Sequence, residues 1–238
     1  MGIAYNTSIV MDTLYFYLDY ANIRCYPGSG TSVFDLYSTG TGATMVNGVG
    51  TSSTFNGSFF FDGVNDYLSF STSLINNKTQ GTFQFFTYVS DLSNSTLISR
   101  QHNGVNTFDV LSVGYSINGF GAKTAGTSGK IYYHKNNATG NLTSSAALTL
   151  NTWNMINLSF SGTACTLYIN GVQDSTVSGD YTTVNDTTTD CRFGAWDNSE
   201  GSSGYLKGNI ASISIYDRTL TAAEIKKNYN AMKKRYGL

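Results

Sequence analysis

From Trp153 to Val177 the chain reads WNMINLSFSGTACTLYINGVQDSTV, and this stretch restricts the fold more than any other. Ile156, Leu158 and Phe160 alternate with Asn157 and Ser159, the period-2 pattern of a strand with one buried and one wet face. After a Ser161-Gly162-Thr163 connection, Cys165, Leu167 and Ile169 alternate with Thr166 and Tyr168. Asn170-Gly171 is the dipeptide that favours a type I′ hairpin turn. Val172, Asp174 and Thr176 continue a third extended run. Three adjacent antiparallel strands make a meander, and its apolar face requires a second layer. The expected class is a two-sheet β protein.

The rest of the chain repeats that pattern. Leu14, Phe16 and Leu18 alternate with Tyr15, Tyr17 and Tyr20, which predicts a first strand over 13–20. Residues 58–70, SFFFDGVNDYLSF, predict two strands around the turn 62–66. Further strands are expected at 83–88, 96–99, 107–115, 130–135, 191–195 and 209–216, with Ile213 and Ile215 inward. The Gly/Thr/Ser-rich segment 38–53 is expected as an ordered loop holding one short strand, and 196–208 as a loop. Turns rest on 25 glycines, because Pro27 is the one proline. Short, evenly spaced strands argue for a sandwich or jelly roll.

The end of the chain is different. Thr221-Ala222-Ala223-Glu224 is a capping box. Ile225, Tyr229, Met232 and Tyr236 then recur on one side of a helix over about 221–235. Lys226, Lys227, Lys233, Lys234 and Arg235 lie opposite, five of the 14 basic residues. The favoured reading is a helix docked on the sandwich with a solvated basic face; a basic arm gripping a partner is the alternative.

Charged residues make up 12% of the chain, about half the usual share. A net charge of −1 leaves no basic footprint for nucleic acid. No apolar stretch is long enough for a membrane span. Cys25, Cys165 and Cys191 are odd in number and widely spaced, so they read as small buried hydrophobes rather than a disulfide framework. The N-terminal MGIAYNTSIVMDTLYFYLDY lacks the charged and apolar regions of a secretory signal. The sequons at Asn6, Asn77, Asn94 and Asn141 are accordingly expected to stay unmodified.

Three strings carry a resemblance: FDGVNDYLSF, WNMINLSFSG…LYINGV and KGNIASISIYDRTLTAAEIKKNYNAMKKRYG. They resemble the concanavalin A-like lectin/glucanase superfamily, in its laminin G-like jelly-roll branch. Leu18-Asp19, Asn22, Tyr26-Pro27-Gly28-Ser29-Gly30 and Asp35-Leu36 extend the match over nearly the whole chain. The YPGSG start and NYNAMKKRYG end look most like single-domain versions among structural proteins of tailed bacteriophages. The resemblance implies an all-β, two-sheet antiparallel jelly-roll sandwich with a short C-terminal α-helix, as one domain over 1–238.

Function must be weighed on residues, since the fold hosts lectins, adhesion modules and glucanases. Retaining glucanases of the superfamily use a Glu-x-Asp-x-x-Glu strand, which sets two carboxyls about 5–5.5 Å apart. Only Glu200 and Glu224 are present, neither in that spacing. His102 and His134 lack a Ser or Cys context for a triad. The chain therefore reads as no enzyme.

Calcium needs six to eight oxygen ligands. The best candidates are Asp62, Asn65 and Asp66, followed by Asp109 and Asp197 with Asn198. The Gly-x-Ile-Asp-Glu string common in the family's last strand reads Gly208-Asn209-Ile210-Ala211-Ser212 here, two carboxylates short. Turn capping is the favoured role of Asp62 and Asp66, and calcium the alternative. Glycan binding needs an aromatic plate beside planar hydrogen-bonding groups. Trp196, Asp197 and Asn198 are the candidates, with Tyr132 and His134 next, while Trp153 reads as core.

The expected function is a non-enzymatic phage virion protein, a capsid decoration or a head or tail fibre domain, with weak adhesion to surface glycans. Its partners would be other virion proteins and further copies of itself, with Tyr15, Tyr17 and Tyr20 available for an interface. Its location would be the virion, assembled in the host cytoplasm. The alternative is a bacterial cell-surface carbohydrate-binding lectin module.

Overall fold

The computed structural model describes residues 8–37, 41–54, 57–100, 109–117, 123–135, 141–183, 191–197 and 203–238. The first strands are β1 (Leu14–Asp19), β2 (Ser32–Phe34), β3 (Thr41–Val46), β4 (Gly50–Ser52), β5 (Ser58–Asp62), β6 (Tyr67–Phe70) and β7 (Gln80–Val89). The middle of the chain forms β8 (Ser95–Arg100), β9 (Asp109–Val113), β10 (Tyr115–Ile117), β11 (Lys123–Ala125), β12 (Lys130–Lys135) and β13 (Leu142–Ala147). Then follow β14 (Trp153–Ser161), β15 (Ala164–Ile169), β16 (Val172–Ser178), β17 (Cys191–Phe193), β18 (Ala195–Asp197), β19 (Ser203–Tyr205) and β20 (Lys207–Tyr216). Helix α1 (Ala222–Met232) and a 3-10 turn, Lys233–Tyr236, end the fold.

Two antiparallel sheets result. One runs β16-β15-β14-β7-β20-β5-β4, with β1 also paired to β20; the other runs β13-β12-β9-β8-β17-β6-β3-β2. The meander forms as expected, Leu158 opposite Leu167 and Thr166 opposite Thr176. Asn170 and Gly171 at its turn have φ of 54° and 75°, the two left-handed residues a type I′ turn demands. The segment 58–70 holds its two strands, but β5 and β6 belong to different sheets. Its turn carries the chain across the sandwich rather than closing a hairpin.

Between the sheets, Phe85, Leu158 and Ile213 from one side meet Leu68, Leu111 and Phe193 from the other in a single apolar core. The largest of these side chains each gain roughly 1.5–3 kcal/mol from burial. All three cysteines are buried and none is in a disulfide.

Neither outer face is simply wet. Asn157 and Ser159, expected toward water, are 0% and 5% exposed, because α1 lies across that side of β14. A second apolar cluster joins Phe86, Trp153 and Met155 of the sheet to Ile225, Met232 and Tyr236 of the C-terminal segment. Where polar strand residues go under, they bond to one another: Gln84 Oε1 accepts from Asn157 Nδ2 and from Asn228 Nδ2, both at 2.9 Å. The capping box forms, Thr221 Oγ1 accepting from Glu224 N–H while the Glu224 carboxylate accepts from Thr221 N–H. Arg218 holds that carboxylate with two bonds and, with the cap, lowers its pKa to about 2.

The other sheet is covered by two small hairpins, β10–β11 and β18–β19. The second of these occupies part of 196–208, which was expected to be a loop. Gly114 makes the first hairpin possible. Its φ is 80°, and a Cβ there would lie 1.9 Å from the Leu92 carbonyl oxygen. Tyr15, Tyr17 and Tyr20, the expected interface residues, are partly buried and used internally. The Tyr17 hydroxyl donates to Asp19, and Tyr20 packs edge-on to Phe59.

Candidate functional site

The sequence-predicted glycan residues converge on one face, the hairpin-covered side of the second sheet, but they do not form an exposed plate. Trp196 on β18 is 1% exposed, enclosed with Val110, Tyr115 and Ile117 in a small apolar cluster. The expected aromatic platform is corrected here: the hairpin folds back over the sheet and carries the indole inward, 6.1 Å from the Tyr115 ring. Ser99 Oγ donates to the Ala195 carbonyl and Thr96 Oγ1 to that of Gly204, which pins the hairpin down.

Tyr132 and His134 are stacked side by side on β12, also buried. The Tyr132 hydroxyl accepts from Thr127 N–H, and His134 Nε2 accepts from Ile117 N–H. Burial pushes the His134 pKa down to about 4, so the ring is a neutral acceptor at ordinary pH. Asp197 is placed by its backbone in β18; Asn198, Glu200 and His102 lie outside the described residues.

The three oxygen-bearing residues proposed for calcium are engaged in the 62–66 turn. The Asp62 carboxylate accepts from Val64 N–H at 2.7 Å, and Asp66 Oδ2 accepts from Asp62 N–H at 3.1 Å. Asn65 offers its carbonyl to Asn47 Nδ2. Burial and the neighbouring Asp62 raise the Asp66 pKa. Among the described residues no three His, Cys, Asp or Glu side chains group as a metal set.

A different constellation lies on the helix-bearing face. Phe60 of β5 is opposite Asn209 of β20, Asn209 is opposite Tyr88 of β7, and Tyr88 is opposite Trp153 of β14. These four residues form one row at right angles to the strands, each on the outer side. Neighbouring strands are about 4.8 Å apart, so Phe60 and Tyr88 stand roughly 10 Å from each other with the amide between them. Beside the row is a cavity of about 190 Å³ lined by Ser52, Thr54, Ser58, Tyr88, Trp153 and Asn209.

Each wall has a structural cause. Tyr236 of the C-terminal turn packs against Trp153 at 4.6 Å between centroids, the rings tilted by 40°, and backs the indole at the edge of the cavity. Tyr88 leans on the same indole at 5.6 Å and 59°. Gly208 has φ 148°, and a Cβ there would lie 2.0 Å from the Tyr88 carbonyl oxygen. Its hydrogen lets β20 approach β7 and sets Asn209 beside Tyr88. Asn209 Nδ2 donates to Ser58 Oγ at 3.0 Å, which fixes the amide plane. Neither the Asn209 Oδ1 nor the Tyr88 hydroxyl has a bonding partner among the described residues. Phe60 is 43% exposed.

Sequence reasoning missed this row. Its signal was the phase of the strands: Phe60 falls on the wrong side of an FFF run for the core, and Tyr88, Trp153 and Asn209 share the outward side.

The laminin G-like family described as the concanavalin A-like lectin/glucanases superfamily matches residues 61–226, well over half of the chain. The chain belongs to that superfamily. No curated protein matches it in sequence. Among solved structures, the binding domain of Paraclostridial Mosquitocidal Protein 1 is similar with a TM-score of 0.65 at 15% identity, over 92% of this chain and 52% of that one. Domain 4 of AbnA, an extracellular arabinanase from Geobacillus stearothermophilus solved with arabinotriose, has a TM-score of 0.59 at 15% identity, over 91% and 98%. A Trypanosoma rangeli sialidase mutant with trans-sialidase activity gives 0.64 at 12% identity, over 96% and 34%. The chain thus spans about a third of the sialidase chains it matches. At these identities the likeness carries the superfamily's sandwich and no activity.

Proposed function

We propose that this superfamily member is a non-enzymatic carbohydrate-binding protein that holds glycan at the outer row of the helix-bearing sheet. The observation that carries this reading is the chemistry of the row and its cavity. Aromatic rings at Phe60 and Tyr88 flank an amide whose plane is already fixed, the buried Trp153 closes one side of the cavity, and hydroxyls line the rest. Sugar rings present apolar C–H faces and polar edges, so aromatic contact with convergent uncharged hydrogen-bonding groups is their complement. The solved complex of AbnA domain 4 with arabinotriose supports the reading from a similar sandwich.

The surface lectin module expected as the alternative fits this site directly. A place on a phage particle, with capsid or tail proteins and further copies as partners, rests on the terminal strings alone and is kept as the second reading. Mass spectrometry of purified particles that carry the gene tests it, and absence of the chain from them removes it.

A glycan array with the intact protein tests the main reading. Binding should appear and fall at least tenfold in Tyr88→Ala and Asn209→Ala proteins whose thermal melting remains cooperative. An array without a hit, or binding that both variants retain, overturns it.

A further inference from the structure

The row also carries information about the kind of glycan, an inference that rests on the carbohydrate-binding reading above. The geometry points to an uncharged glycan chain of three or more units, bound by its interior and lying across the strands.

Three observations converge. The first is charge. Among the described residues no lining residue of the cavity is ionic, and Phe60 extends the row without adding a charge. The charged residues one step along the same strands, Lys207 and Asp62, are direct register partners and oppose each other. Arg235, next to the Tyr236 that backs the site, is held by both oxygens of Asp19 at 2.8 and 2.5 Å. A carboxylate sugar seated in the cavity would lose water without a cation in the described lining to replace it, an unfavourable exchange.

The second observation is extent. Phe60, Asn209, Tyr88 and Trp153 occupy four successive strands, so the row advances by about 4.8 Å at each step. A pyranose or furanose unit in an extended chain advances by about one such spacing. Stacking at Phe60 and at Tyr88 therefore engages two units separated by a third, which Asn209 meets with its free oxygen. One terminal sugar cannot reach both rings.

The third is shape. Enclosed pockets for whole small molecules run from about 300 Å³ upward. The cavity of about 190 Å³ is smaller, and Phe60 stands outside its lining at 43% exposure. A site that grips part of a ligand and continues along the surface suits a polymer. Gly50, opposite Phe60 on β4, has no side chain to lift the Phe60 ring off the last strand: a Cβ there would lie 3.2 Å from Phe60 Cδ1.

Titration calorimetry on the intact protein tests the inference. The probes are β-1,4-linked glucose, β-1,4-linked xylose and α-1,5-linked arabinose oligosaccharides of one to four units, with sialyllactose as the anionic comparison. At least one neutral series should tighten by tenfold or more from one unit to three and then level off. Phe60→Ala should remove most of that gain, so that affinity no longer rises from one unit to three. Raising salt from 50 to 500 mM should alter affinity by less than twofold.

Binding that Tyr88→Ala abolishes but that is tightest for sialyllactose, or does not grow with chain length, overturns this inference and leaves the carbohydrate reading standing. Length-dependent binding that Tyr88→Ala and Asn209→Ala both retain, or no binding to any probe together with an array without a hit, overturns both.

Discussion

Asn228 shows how much one polar residue can hold in an apolar setting. It is 0% exposed on the inner side of α1. Its oxygen accepts from Val10 N–H at 2.7 Å, and its amide donates to Gln84 Oε1 and to the Tyr216 hydroxyl. Three segments distant in sequence thus meet at one side chain. Asn228→Ala leaves a buried N–H without a partner, an omission that costs about 1–3 kcal/mol. Urea unfolding should show a loss of that size, and Asn228→Asp, which restores an acceptor for Val10 N–H, should still not recover it, since its buried carboxylate would face the Gln84 Oε1 acceptor. His134 acts through pH. Its Nε2 accepts from Ile117 N–H, so protonation would set two donors against each other in a buried site. The folded pKa of about 4 lies below the ordinary 6.5, so between those values the unfolded chain binds the extra proton. The contribution is complete above pH 6.5 and is lost as pH falls to about 4, at up to ~1.4 kcal/mol per unit. His134→Gln, which retains an acceptor, should make the melting temperature fall less than that of the native protein between pH 6.5 and 4.5. Equal slopes in the two proteins would remove His134 as the cause.

At the scale of elements, edges and ends decide what holds. The free edge of β13 is covered by a side chain from the other sheet: the Asp174 carboxylate of β16 accepts from Ser145 N–H at 2.6 Å and Ala146 N–H at 2.8 Å. Unpaired strand edges invite pairing with other chains. Asp174→Ala should cost only about 1 kcal/mol, because water replaces the carboxylate at an exposed site, yet it should increase light scattering on slow heating. Unchanged scattering would show that the edge is protected elsewhere. The elements with two-residue alternation were legible: β1, the meander and β20 all fall where their period places them, and the capping box marked the start of α1. The short strands were not. β18 and β19 carry almost no pattern of their own, since each is three residues long and is held by bonds from Thr96 and Ser99 of the sheet beneath. That support comes from residues a hundred positions away, which no local window contains. The same fact explains Trp196. Its indole reads as a loop plate in sequence, and a hairpin with a distant anchor turns it inward.

For the molecule as a whole, the outer faces matter as much as the core. A sandwich is expected to be wet outside, and the alternation in β14 reads that way, yet the C-terminal segment covers it. The helix is amphipathic by itself, so its docking was legible; where it docks was not, because the polar residues Gln84, Asn157 and Ser214 look like surface until Asn228 arrives. The placement has a consequence for the binding row, since Tyr236 backs Trp153 and also stacks on Phe86 at 4.3 Å. It is 3% exposed. Removing a large aromatic side chain from such a place costs about 3–5 kcal/mol when the gap does not close. In Tyr236→Ala the indole loses its support, so glycan affinity should fall together with stability, although Tyr236 does not line the cavity. Tyr236→Phe separates the two roles of the residue. It keeps the ring and deletes a hydroxyl that has no bonding partner among the described residues, so it should retain both stability and binding. Calorimetric melting with and without the best-bound oligosaccharide reads both quantities in one experiment. A Tyr236→Ala protein that loses several degrees of melting temperature but binds glycan unchanged would show that Trp153 is held by the sheet alone, and the helix would then be a cover for the sandwich with no part in the site.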